Sequence, residues 1–159
     1  MFKKGDFKRN MTTEWKFRLF LLLKLPLAFI VGLRLKSITN QVVEISLPFK
    51  WLNTNPFKSM YFACLTMAAE LSTGVVVMSI IDTLPQSFAM LVLKVEGDFV
   101  KRGLGTIVFR CEDTVVAQNA FEKALAEKSP QQFVLKSIGY NEQNEPICSF
   151  HFTWSIKAK

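Results

Sequence analysis

The chain has 159 residues, half of them hydrophobic, with 15 Phe and a net charge of +7. That length suits a single domain over residues 1–159 with a sizeable core, and the composition excludes a disordered or low-complexity chain. The charge is uneven: residues 1–50 hold ten Lys or Arg (Lys3, Lys4, Lys8, Arg9, Lys16, Arg18, Lys24, Arg34, Lys36, Lys50) against three acids (Asp6, Glu14, Glu44), and the remainder is balanced. A basic third of this kind suits an anionic lipid, a nucleic acid or a phosphorylated ligand, or else a solvated tail.

The three cysteines, Cys64, Cys111 and Cys148, are widely spaced and form no CxxC. They read as buried thiols of a reducing, cytoplasmic compartment, not as a zinc or redox site. His151 is the only histidine, which argues against a multi-His metal centre or a Ser-His machine. It lies in a strand-like run and reads as structural; no metal site is expected.

Thr12 or Thr13 can cap a first helix with Glu14 in its first turn, running to about Lys24 and ended by Pro26. The run 17–33, FRLFLLLKLPLAFIVGL, has the flavour of a signal or anchor. However, Lys24 and Pro26 interrupt it, and its longest apolar piece is five residues, Leu19–Leu23, far short of the ~20 a span needs. A short amphipathic helix followed by a strand over 29–38 accounts for it, with membrane-surface contact as the alternative. Residues 1–26 therefore read as a basic, apolar helical extension and 27–159 as the core.

Residues 41–49 alternate, with Val43, Ile45, Leu47 and Phe49 on one side. WLNTNPFKS is a loop by composition. MYFACLTMAAELSTG is a helix, with Ser59 as N-cap and Gly74 as C-cap; it is apolar on nearly every side, so it must be largely enclosed. VVVMSII either continues that helix or starts a connection. Strands follow over 88–96, 104–112, 132–140 and 146–157, with a helix over 114–127 and Thr114 as its cap. In the last strand Cys148, Phe150, Phe152, Trp154 and Ile156 share a face. The order is α+β with a largely antiparallel sheet, which several folds satisfy.

A more specific reading comes from residues 53–74, NTNPFKSMYFACLTMAAELSTG. This segment resembles the loop and central helix of hotdog-fold thioesterases. In the phenylacetate-degradation type the region runs N-x-x-G-x-x-H-G-G and then an apolar helix bearing an acid fifteen positions after the Asn. Asn55 and Glu70 have that spacing. The SMYFAxLxMAAELxTG run resembles more closely a thioesterase-like branch of the same superfamily (DUF4442-like), and a looser likeness extends from about Leu33 to the C-terminus. The sequence departs from the pattern at Lys58, at Tyr61 for the His, and at Phe62 and Ala63 for the Gly pair that lets backbone approach the substrate. The resemblance implies a hotdog fold: a curved antiparallel sheet wrapped around a central helix, here with an extra N-terminal helix. It also implies a homodimer, with a tetramer possible, because pairing covers an open sheet edge.

On this reading Glu70 and Asn55 are the catalytic candidates. A carboxylate on an apolar helix is expensive to bury unless paired, and burial raises its pKa toward that of a usable base. The resemblance makes it the group that activates water or attacks the thioester. The amides near Ser59, Met60 and Tyr61 are candidates to polarise the carbonyl. Thr66 and Thr73, four before and three after Glu70, share its face and can hydrogen-bond the carboxylate. Lys101 and Arg102 are candidates for the coenzyme A phosphates. Coenzyme A enters as part of the substrate, and no other cofactor is expected. The abundant Phe and Met suit a core and equally an acyl tunnel.

Three functions follow. The first is an acyl-CoA thioesterase, or a hydrolase of another acyl thioester; the second is a non-catalytic acyl- or lipid-binding protein on the same scaffold. The third is a peripheral membrane protein, at the inner membrane, acting through the basic N-terminus. Basic residues interleaved with Phe and Leu favour lipid over nucleic acid, for which no motif is present.

Overall fold

The computed structural model describes residues 4–159; Lys3, one of the N-terminal cations, lies outside the described residues. Three short helices open the chain: α1 (Phe7–Met11), α2 (Glu14–Lys24) and α3 (Pro26–Val31). Strands β1 (Arg34–Ile38) and β2 (Val43–Leu47) follow, then a 3-10 turn, Trp51–Asn53, and the long helix α4 (Phe62–Thr83). The chain continues as β3 (Phe88–Phe99), β4 (Ile107–Cys111), α5 (Thr114–Glu127), β5 (Gln131–Tyr140) and β6 (Pro146–Ala158).

The six strands form one antiparallel sheet in the order β1-β2-β4-β5-β6-β3. Its inner face is the expected apolar alternation. In β6 Cys148, Phe150, Phe152, Trp154 and Ile156 are buried, and in β2 Val43, Ile45 and Leu47 are buried. These side chains close on α4, which is buried along most of its length and rests on β2, β4 and β5. By length and composition α4 would pass for a membrane span; the sheet takes the place of lipid around it. The three thiols are free and buried. Burial pushes Cys111 and Cys148 up to about 12 and raises Cys64 as well.

Several local expectations are corrected. Residues 29–31, read as strand, finish α3: Pro26 occupies the first turn of a new helix, where its missing N–H costs nothing. Gly32, at φ 86°, ends that helix in the left-handed region. The central helix begins at Phe62 with Tyr61 at the N-cap, not at Ser59, and VVVMSII continues it to Thr83. Gly74 is therefore not a C-cap. It lies mid-helix, where a Cβ would stand 3.4 Å from Glu70 Oε1 and 3.6 Å from the Trp154 ring. α5 matches 114–127, but the Thr114 hydroxyl donates to Asn40 C=O at 2.8 Å and so ties the helix to the β1–β2 turn instead of capping it.

The two sheet edges differ. β1 is covered by α2, and Arg34 pairs there with Glu14 at 3.1 Å. Among the described residues β3 has no strand on its outer side, and from Leu91 onward nearly every residue is exposed. Val95 and Phe99 lie opposite the buried Phe152 and Cys148, so they point to the inner face, yet they remain half-exposed.

Candidate functional site

Glu70 projects from the middle of α4 into a cleft of about 280 Å³ formed with the α2–α3 corner: Lys24, Leu25, Pro26 and Leu27 on one side, Met67 and Leu71 on the other. Almost all of that lining is apolar. The Glu70 carboxylate accepts no hydrogen bond and makes no ion pair among the described residues; Lys24 lines the same cleft without pairing to it. Burial raises the Glu70 pKa, because desolvation disfavours the charged form. The missing side chain at Gly74 leaves room for Oε1.

The two threonines on its face do not serve the carboxylate. Thr66 Oγ1 donates to Phe62 C=O at 3.0 Å, one turn back along its own helix. Thr73 Oγ1 donates to the Glu70 main-chain carbonyl at 2.9 Å and accepts from Trp154 Nε1 at 3.1 Å. In a helix interior a hydroxyl reaches the carbonyl of the preceding turn more easily than a neighbouring side chain. Thr73 thus fixes β6 to α4 directly beneath Glu70.

Asn55, Ser59, Met60 and Tyr61 lie elsewhere, in a second cleft of about 530 Å³ between the loop before α4 and the end of β3, with Phe99, Lys101 and Arg102. Asn55 organises that loop. Its Oδ1 accepts from the amides of Phe57 and Ser59 at 3.0 and 3.2 Å, and its Nδ2 donates to Ser59 Oγ at 3.0 Å, which is Asx-turn geometry. Lys58, standing where the resembling pattern has its first Gly, takes a φ of 56°. The backbone retains the left-handed bend that glycine would favour, but with a side chain.

The amides named from sequence are already occupied. Ser59 N–H is held by Asn55, Met60 N–H by Gly103 C=O at 2.9 Å, and Tyr61 N–H by Asn53 C=O at 2.8 Å. Those left without an acceptor among the described residues are Phe62 and Ala63, in the first turn of α4. The helix starts two residues later than its composition suggests, with Tyr61 instead of Ser59 at the N-cap, which moves the free amides to Phe62 and Ala63. Phe62 lines the second cleft with Tyr61, and their rings meet edge to face with centroids 5.1 Å apart. Lys101 pairs with Glu145 at 3.0 Å, and Arg102 donates to Phe57 C=O; both cations sit on the rim. His151, on the outer face of β6 opposite Glu96 and Lys136, lines neither cleft.

The chain thus carries its unpaired acid and its unpaired helix-start amides in two clefts, eight residues apart on one helix, which is roughly 12 Å of axial rise.

A sheet wrapped in this way around one long helix is the hotdog fold of thioesterase-like proteins, and solved structures of that class superimpose on it. A Pseudomonas aeruginosa protein of unknown function, described as a probable thioesterase, aligns with a TM-score of 0.76 at 18% identity, over 91% of this chain and 96% of its own. A Chlorobaculum tepidum protein of unknown function aligns with a TM-score of 0.78 at 17% identity, over 91% and 94%. A thioesterase from Haemophilus influenzae aligns with a TM-score of 0.65 at 14% identity, over 88% of each chain. Residues 13–156 match the family model of the domain of unknown function DUF4442, and the chain belongs to that family. Comparison with curated proteins gives no match.

Proposed function

We propose that this chain hydrolyses acyl thioesters, with acyl-CoA as the first substrate class to test and Glu70 as the catalytic carboxylate. The observation that carries this reading is Glu70 itself: a half-buried acid in an apolar cleft, without a counter-ion among the described residues, whose raised pKa makes it a stronger base than an exposed carboxylate. In the reaction, Glu70 takes a proton from a water whose oxygen attacks the thioester carbonyl carbon; the C–S bond then breaks and the departing thiolate takes up that proton. Where the carboxylate itself attacks, the thiolate leaves an acyl anhydride on Glu70, and the water that hydrolyses it releases the fatty acid, frees the carboxylate and supplies the thiolate's proton. The Phe62 and Ala63 amides are the donors available to the developing oxyanion. Lys101 and Arg102, which line the same cleft, are the candidates for the phosphates; the exposed Lys101–Glu145 pair is weak enough to exchange for them.

Acid and amides are too far apart in one protomer to serve one carbonyl, so this reading needs a second copy to complete each site. The free β3 edge supplies the means, because its half-exposed inward Val95 and Phe99 are the surface that strand pairing would cover. Light scattering is expected to give a dimer, and Val95→Lys to give a monomer without activity. A monomeric active wild type would remove the shared-site argument.

The rings of Tyr61 and Phe62 over the second cleft, where the resembling pattern has His and Gly, favour a second reading: acyl binding without turnover. A panel of short- to long-chain acyl-CoAs separates the two. Hydrolysis by wild type that falls by about 10²–10⁴-fold in Glu70→Gln supports the enzyme. A folded wild type that turns over nothing, yet carries fatty acyl species in native mass spectrometry, supports the binder.

A further inference from the structure

The α2–α3 corner presents an apolar surface that the fold does not use. α2 buries only Phe17 and Leu21, and α3 only Ala28 and Val31. Phe20 and Phe29 are partly buried against the core, and the remaining large apolar side chains of these helices face solvent: Trp15 (64% exposed), Leu19, Leu22, Leu23 (68%), Leu27 (65%) and Ile30. The turn before α4 adds Trp51, 87% exposed. That turn is tied to the end of α3, since Asn53 Nδ2 donates to Val31 C=O at 3.3 Å and Lys50 Nζ lies beside Gly32.

Charge surrounds this apolar face with one sign. The acids of the first fifty residues are each held by an arginine: Asp6 by Arg9 at 2.9 Å, Glu14 by Arg34 at 3.1 Å and Glu44 by Arg110 at 2.6 Å. Lys16, Arg18, Lys24 and Lys50 have no carboxylate partner among the described residues. Lys16 and Arg18 instead lie over the rings of Trp15 and Phe29, at 5.7 and 4.9 Å from the centroids. Leucine and tryptophan ringed by unpaired cations is the pattern of a helix lying in a membrane interface. There the apolar side chains enter the acyl boundary while long basic side chains reach back to the headgroups. A protein partner suits it less, because lysine is depleted at protein interfaces. The corner also sits against β1, at the other edge of the sheet from β3.

The same corner walls the Glu70 cleft: Lys24, Leu25, Pro26 and Leu27 belong to both surfaces. We infer that the α2–α3 corner docks the protein on an anionic lipid bilayer and opens the Glu70 cleft toward it, so that an acyl chain passes between membrane and site without crossing water. The docking itself stands apart from catalysis; the acyl transfer rests on the proposed thioester reading.

The test uses the full chain and co-sedimentation with phosphatidylcholine vesicles, with and without about one-third phosphatidylserine. Wild type and Glu70→Gln are expected to bind the anionic vesicles alike, which keeps the result independent of turnover. Binding should weaken between about 50 mM and about 500 mM salt. Leu23→Glu/Leu27→Glu, with wild-type circular dichroism, should bind at least about tenfold more weakly. As a second measurement that leaves the leucines intact, brominated lipid should quench Trp15 in Trp51→Phe, because Trp154 is buried. No sedimentation at low salt, or an unquenched Trp15, overturns the proposal. So does self-association that the double variant abolishes while vesicle binding is absent, which would assign the face to a second copy.

Discussion

Thr73 and Trp154 offer the sharpest test of how the site is held. Thr73 is fully buried, and its hydroxyl is the partner of the indole N–H of Trp154, itself buried. Thr73→Val keeps the branched shape and removes the acceptor, so Trp154 Nε1 is left in the core with nothing to bond. An orphaned buried donor costs about 1–3 kcal/mol. The lost bond from Thr73 to the Glu70 carbonyl adds little, since that carbonyl also belongs to the helix ladder. For a chain of this size about 2 kcal/mol lowers Tm by roughly 4–8 °C. In a Trp154→Phe background there is no donor to strand, and the same Thr73→Val should cost well under about 1 kcal/mol. Urea denaturation followed by far-UV circular dichroism measures all four proteins without relying on tryptophan emission. Equal penalties in the two backgrounds, or none in either, would refute the reasoning.

Glu70 makes stability depend on pH with a definite sign. Its folded pKa lies above the unfolded one, so the native chain holds the proton longer, and stability present below the ordinary carboxylate range is lost as pH rises through the raised value. Glu70→Gln should therefore gain stability relative to wild type as pH rises above the ordinary carboxylate value of about 4.3; a difference in urea midpoint that stays constant as pH is raised would contradict the assignment. Gly139 lies on the inner face of β5, where an added Cβ would meet Cys148 Sγ and Phe109 Cε1 at 2.8 Å each. Gly139→Ala should cost about 1–3 kcal/mol by overpacking, and Cys148→Ala should restore part of it; an unchanged midpoint in the single variant would show that the core has slack there.

Much of the architecture is written in local pattern. The alternation in β6 sorts its apolar side chains onto the inner face because successive residues of a strand point to opposite sides. The near-uniform apolarity of α4 demands enclosure on most sides, and the acid within it announces a special position. α5 begins and ends where its pattern does. Boundaries set by competing short-range preferences were harder to read. Phe29, Ile30 and Val31 look like strand, yet Pro26 restarts a helix that Gly32 can close.

What surrounds each candidate side chain was decided only in three dimensions. Nothing in the spacing of Asn55 and Glu70 says that they lie in different clefts, because helix length separates them while the loop folds back on itself. Thr66 and Thr73 share a face with Glu70, but their hydroxyls go to main-chain carbonyls, and the indole that Thr73 accepts from arrives from 81 residues away. The apolar N-terminal run shows amphipathic character in sequence. That its corner also forms the wall of the Glu70 cleft follows from packing, since neither α2 nor α3 can bury more than one narrow stripe against the sheet and the central helix.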